Sequence, residues 1–236
     1  MNLVLLIVCG LAPSLVWLLY FLRKDVHPEN NSEVIKIFVY GALTVLPTAL
    51  IQFGIFDITD NIKPSLFKTI FILFFAVALT EEFLKYLVVK DKVIKTPHFD
   101  EPMDLPLYLI ISALGFAAAE NVLVIIGPGL FQMSVGKTIL LSLYRFVSAV
   151  LLHALASGTL GFFLALSFYQ PKNKTRLLAL GFFLAVFLHG LYNFSIMVIG
   201  GSIRFLIPFL ILINLALVLS FGFRKLKEMK SVCEIQ

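Results

Sequence analysis

Charge is scarce in this sequence. Asp, Glu, Lys and Arg make up 14% of its 236 residues, against about 25% in ordinary globular domains. Cysteine is scarcer still, with Cys9 in an apolar run and Cys233 in a charged tail. That pair builds neither a disulfide framework nor a cysteine zinc spacing. Internal repeats and low-complexity tracts are missing, and no polar stretch is long enough to fold as a separate soluble domain. These shortages exclude a soluble enzyme, a secreted disulfide scaffold and a nucleic-acid module. What is abundant is apolar: 60% of residues, 24 of them Phe, at a mean hydropathy of +0.98. Such a chain belongs in lipid.

Apolar runs occupy about 3–22, 34–56, 66–89, 105–127, 138–168, 177–199 and 203–223. Each is close to or above the roughly 20 residues that a helix needs to cross a hydrocarbon core of about 30 Å. Pro28, Pro64, Gly127-Pro128-Gly129 and Gly200-Gly201 punctuate the intervals. The prediction is an all-α polytopic bundle of about seven transmembrane helices, a single integral membrane domain over 1–236. The first run lacks a basic n-region and a small-residue cleavage site, so it reads as a retained helix. Basic residues in the short loops divide 13 against 4 between alternate sides. By the positive-inside rule the amino terminus lies outside and the carboxyl terminus in the cytoplasm, as in a multi-pass protein of a prokaryotic plasma membrane.

Of 33 charged residues, 28 fall in loops and helix ends. Glu81, Glu82, Lys85, Glu120 and Arg145 lie inside the runs, as do His153 and His189. A charge at the bilayer centre costs at least about 2.5 kcal/mol, so such groups face the protein interior and are functional candidates. Glu81 and Lys85 are four apart and can pair on one helix face, with Glu82 turned about 100° away. One carboxylate held by Lys85 leaves the other free to act as a base. A helix restart at Thr80 would shift that geometry. Glu120 and Asn121 follow the small residues Ser112, Ala113, Gly115, Ala117, Ala118 and Ala119, which permit close helix approach. Glu120 is then a proton- or metal-handling group or a partner of Arg145, while Asp104 at the start of that run is an interfacial cap. Arg145 and His153 share one face of their run, and His189 and Asn193 share one face of theirs. Taken singly, each histidine or ion pair also suits a purely structural role. Together, His and Glu are a zinc ligand set and equally a water-activating base with its hydrogen-bonding partners.

In order along the chain these residues read EExxK (Glu81, Glu82, Lys85), Asp104, GFAxxEN (Gly115, Phe116, Ala117, Glu120, Asn121), Arg145 with His153, and HGxxN (His189, Gly190, Asn193). This set, over about 80–195, resembles the PrsW family of intramembrane proteases, related to the type II CAAX prenyl proteases. Asn193 stands where PrsW proteins often carry Asp and the CAAX relatives carry Asn. The resemblance implies a catalytic core over about 66–200, with peripheral helices at 1–60 and 203–223. It implies an intramembrane endopeptidase acting on membrane proteins or peptides, such as anti-sigma-factor-like, prenylated or other lipid-embedded substrates, with no nucleic-acid partner. In that reading Glu81 or Glu82 activates water. His153 and His189 either hold Zn²⁺ with Glu120 or, with Asn193, donate to the oxyanion. Lys85, Asn121, Arg145 and Asp104 play supporting parts. A metalloprotease and a metal-free glutamate mechanism both fit. Two other classes fit the same residues: a proton- or ion-coupled transporter, and a non-catalytic relative that binds membrane peptides.

One spacing resists a single site. At 1.5 Å per residue, Glu82 lies about 12 Å from its helix end near Lys90, whereas Glu120 lies about 22 Å from its start near Leu105. They meet only through tilt, a break at Thr80 or a buried helix start near Pro106.

Overall fold

The apolar runs fold as helices because nothing within them competes: backbone groups in lipid must be paired internally, and only a helix does so within one segment. The computed structural model describes residues 3–25, 28–97, 99–127 and 134–229. Cys233 and the Pro128-Gly129 part of the punctuating loop lie outside them.

The helices are α1 (Leu3–Leu22), α2 (Asn31–Leu43), α3 (Val45–Asp60), α4 (Leu66–Phe71), α5 (Thr80–Lys92), α6 (Asp104–Ile126), α7 (Val135–Val147), α8 (Ala149–Tyr169), α9 (Lys174–Val198) and α10 (Ile203–Lys227). Several join end to end, α2 with α3 and α7 with α8, while a π-helical stretch, Ile72–Leu79, links α4 to α5. Among the described residues the result is seven rods in the order of the seven predicted runs. Six are long and apolar enough to cross a membrane. The seventh, residues 66–92, carries Glu81, Glu82 and Lys85 along its length. No strand occurs among the described residues. Large apolar side chains such as Phe67, Ile58 and Leu50 are exposed on the outside, which is the face a bilayer solvates.

The rods are not equivalent. α6 is the axis: Asp104 through Ala118 are all buried, with α1, α2, α5 and α8 packed around them. Lipid tails are as apolar as leucine, so close backbone approach must hold these helices together. Gly115 of α6 faces the Phe38 carbonyl of α2, and Gly41 of α2 faces the Ser112 carbonyl of α6. A Cβ at either position would collide with backbone. Gly161 of α8 lies in the same way against Pro106 at the start of α6. The small residues thus do what their clustering predicts.

The loops rich in Lys and Arg gather at one end. Lys227 Nζ donates to the Lys24 carbonyl oxygen at 2.7 Å. Phe99 meets Phe168 edge-on at 5.0 Å between ring centroids. Tyr108 Oη donates to Glu29 at 2.6 Å.

The π-helical stretch ends where the charges begin. Its wider turn reaches five residues back, and Thr80 Oγ1 donates to the Phe75 carbonyl at 3.3 Å across that interval. Regular α-helix resumes at Thr80, so the expected restart takes the form of a change of helical pitch. π-Turns inside α-helices are frequent at functional sites.

Candidate active site

α5, α6, α7, α8 and α9 each bring one part of the site, and α3 adds another. Glu82 lies at its base, wholly buried. Its Oε1 accepts Lys85 Nζ at 2.8 Å and His189 Nδ1 at 3.0 Å, and its Oε2 accepts Ser157 Oγ at 2.6 Å. Three donors engage both oxygens of this carboxylate. Lys85 also donates to His153 Nδ1 at 2.8 Å, and its ammonium sits 4.4 Å above the Phe116 ring. The expected Glu81–Lys85 pairing is therefore secondary: that distance is 3.7 Å. The tighter partner is Glu82, at i,i+3 rather than i,i+4.

Glu81 is arranged differently. Its Oε1 accepts from Gln52 Nε2 at 3.3 Å. Its Oε2 is buried and has no hydrogen-bond partner. Around that oxygen stand His189 Nε2 at 3.7 Å, Lys85 Nζ at 3.7 Å and His153 Nδ1 at 3.8 Å. A buried acceptor without a donor costs about 1–3 kcal/mol. Such an atom, aimed between two imidazoles, is placed to receive something.

Glu120 closes the other side. Arg145 donates from Nη2 to Glu120 Oε2 at 2.6 Å and from Nε to Asn121 Oδ1. His153 Nε2 lies 3.3 Å from the same Glu120 oxygen. Since Nδ1 of His153 accepts from Lys85, Nε2 carries the proton and donates to Glu120. Lys85 and His153 in series link Glu82 to Glu120, so the two carboxylates share one site despite their different distances from their helix ends. Arg145 and His153 both reach Glu120 although α7 and α8 meet at an irregular Ser148 (φ −122°, ψ −87°).

These groups surround a cavity of about 220 Å³. Glu81, Glu120, Arg145, His153, His189 and Asn193 all line it, together with Tyr144 and Tyr192. Glu82 and Lys85 are not in the lining; they stand behind it. Asp104 belongs elsewhere. Its Oδ2 accepts the backbone N–H groups of Asp100 and Glu101 at 3.0 and 2.7 Å, so it ties the preceding loop to the start of α6 and caps none of that helix's own N–H groups.

Glu81, His153 and His189 each offer one ligand atom, all within 4.8 Å of one another. The expected set of His153, His189 and Glu120 differs from this in its carboxylate. Glu120 is engaged by Arg145, whereas Glu81 Oε2 is unengaged. A carboxylate oxygen lacking a donor, with two imidazole nitrogens beside it, is a donor set that zinc accepts. The His189–Glu82 bond is the outer-shell contact that fixes the tautomer of a metal-binding histidine. The residues present therefore fit such an ion.

Gln52 and Ser157, and the cavity-lining Tyr144 and Tyr192, are outside the expected list. Gln52 and Ser157 are uncharged residues in apolar runs. Neither carries a sequence signal beyond polarity inside a membrane segment.

Residues 29–221 match the family model described as PrsW family intramembrane metalloprotease. The match extends well beyond the motif-bearing stretch at 80–195. Among curated proteins, the chain is similar to a Protease PrsW of Bacillus subtilis, 30% identical over 233 residues that cover 98% of each chain. It is 33% identical to a Protease PrsW of Oceanobacillus iheyensis over 86% of this chain and 88% of that one. It is also 33% identical to one of Geobacillus kaustophilus over 81% and 80% respectively. No solved structure matches.

Proposed function

The chain belongs to the PrsW family of intramembrane proteases, and from that premise we propose that it cleaves peptide bonds of single-span or lipid-anchored membrane proteins in the cavity between α5, α6, α8 and α9. The observation that carries the reading is the orphaned Glu81 Oε2, buried between His153 and His189. Glu81, His153 and His189 would hold a zinc ion. When bound, it supplies a Lewis acid that polarises the scissile carbonyl and makes water acidic enough to lose a proton near neutral pH.

The chain's own groups do the rest. Glu82 accepts the Nδ1 proton of His189 and leaves Nε2 with its lone pair toward the cavity. His153 would offer the ion Nδ1, the nitrogen that Lys85 reaches here, and Lys85 would keep its bond to Glu82. Glu120, whose side chain is 31% exposed on the cavity wall, takes the proton of the attacking water and returns it to the leaving nitrogen. Arg145 holds Glu120 in place and balances its charge. Asn193 and Tyr192 line the same wall and donate to the developing oxyanion. The basic end of the bundle faces the cytoplasm of a prokaryotic plasma membrane, in line with the 13-to-4 division of loop charge.

The test is cleavage of a reconstituted single-span substrate panel by wild type, Glu81→Ala and His189→Ala. Loss of at least about 10³-fold in both variants is expected for residues at the reacting centre. Wild-type turnover by either variant refutes the assignment.

A further inference from the structure

Away from this site, a trough of about 440 Å³ runs along the outside of the bundle between α1 and α10, floored by Leu151 and Leu155 of α8. It shares no lining residue with the candidate active site. Its walls are apolar and set. Trp17 donates its indole N–H to the Phe146 carbonyl at 2.8 Å and stacks on the Phe146 ring at 5.2 Å. Leu219 and Phe223 of α10 form the facing wall.

Polarity changes only at one end. There Lys24, Arg224 and Lys227 line the mouth. Lys227 spends one of its three ammonium hydrogens on the Lys24 carbonyl. Lys24 lies 4.8 Å from the centre of the Tyr20 ring, and Arg224 is exposed in the last turn of α10. No carboxylate lines the trough among the described residues. Around the mouth, Arg23, Lys24, Arg224, Lys225 and Lys227 stand against Asp25 and Glu228, five positive to two negative.

We propose that this trough binds an anionic phospholipid, its phosphate on Arg224, Lys227 and Lys24 and an acyl chain along Leu151, Leu155 and Leu219. The gradient from cations at the bundle end to apolar walls within it matches one amphiphile lying parallel to the helices. Basic pockets between membrane helices recognise acidic headgroups in this way. A zwitterionic headgroup would bring a second cation to a mouth where basic residues outnumber acidic ones five to two and no carboxylate lines the trough among the described residues.

The test is native mass spectrometry of the full-length protein in detergent, titrated with phosphatidylglycerol, phosphatidylcholine or sodium phosphate. Phosphatidylglycerol should bind about tenfold more tightly than phosphatidylcholine, and millimolar phosphate should not displace it. Arg224→Gln with Lys227→Gln should erase the preference. Ser220→Trp, an exposed lining position, keeps the cations but fills the trough and should weaken binding by about as much as the charge variant. Equal affinity for the two lipids in wild type overturns the proposal. So does unchanged phosphatidylglycerol binding by Ser220→Trp, which would reduce the effect to loose attraction at the basic end. Displacement by phosphate would make it an anion site without a lipid.

Discussion

His189 Nδ1 lies 3.0 Å from Glu82 Oε1, and both residues are buried almost completely. A carboxylate can only accept, so the imidazole proton sits on Nδ1 and the Nε2 lone pair is directed to Glu81 and the cavity. The geometry makes Glu82 a positioning residue. Glu82→Gln preserves shape but offers an amide where Lys85, Ser157 and His189 need an acceptor. It should lower turnover and metal affinity by about 10–100-fold, measured as cleavage rate and as zinc dissociation constant. Unchanged zinc affinity contradicts the role.

Gln52 fixes the other oxygen of Glu81 from α3. Removing it leaves Glu81 free to rotate without emptying a packed core, since Gln52 is only half-buried. Gln52→Ala should weaken zinc binding about tenfold while moving the unfolding midpoint little. A large loss of stability with intact zinc affinity would make Gln52 a packing residue instead.

How far the sequence leads can be judged from these residues. Hydropathy alone locates seven rods, because lipid forces each apolar run into a helix. The cost of burying charge singles out Glu81, Glu82, Lys85, Glu120 and Arg145, and they do converge. The pairing within that set is not legible. Whether Lys85 meets Glu81 or Glu82 depends on helical phase, and the preceding ILFFAVAL stretch looks alike as α- or π-helix. Nor does periodicity, which gives faces, tell whether Glu81 or Glu120 keeps an oxygen without a donor. Gln52 lies 29 residues from its partner, and no spacing rule spans such a distance.

Gly115 and Gly54 give a sharp stability contrast. Gly115→Ala drives a Cβ into the Phe38 carbonyl and should destabilise by about 2–4 kcal/mol. At Gly54 on α3, an added Cβ meets nothing within 4 Å. Gly54→Ala should be neutral or stabilising by up to about 1 kcal/mol, the ordinary helix propensity gain. Thermal unfolding in one detergent compares them, and equal midpoints would remove the close α2–α6 approach from the account.

Glu29, in the α1–α2 loop, is raised above its ordinary value of 4.5, chiefly by burial. A carboxyl raised in the folded state contributes stability that is complete below the unfolded pKa and is lost as pH rises through the folded one. Glu29→Gln removes that penalty and still accepts the Tyr108 hydroxyl. The variant should match wild type near pH 4.5 and exceed it in unfolding midpoint at pH 8. A difference that stays constant across this range contradicts the burial of Glu29.

The most direct test of the account is the metal content of a cleaving preparation. Wild type should carry about one zinc per chain, as a single three-residue protein site implies. Glu120→Gln should keep the zinc and lose cleavage, while Glu81→Ala should lose both. A wild-type preparation that cleaves its substrate with less than about 0.1 zinc per chain, and is indifferent to chelator, would contradict the Glu81–His153–His189 centre.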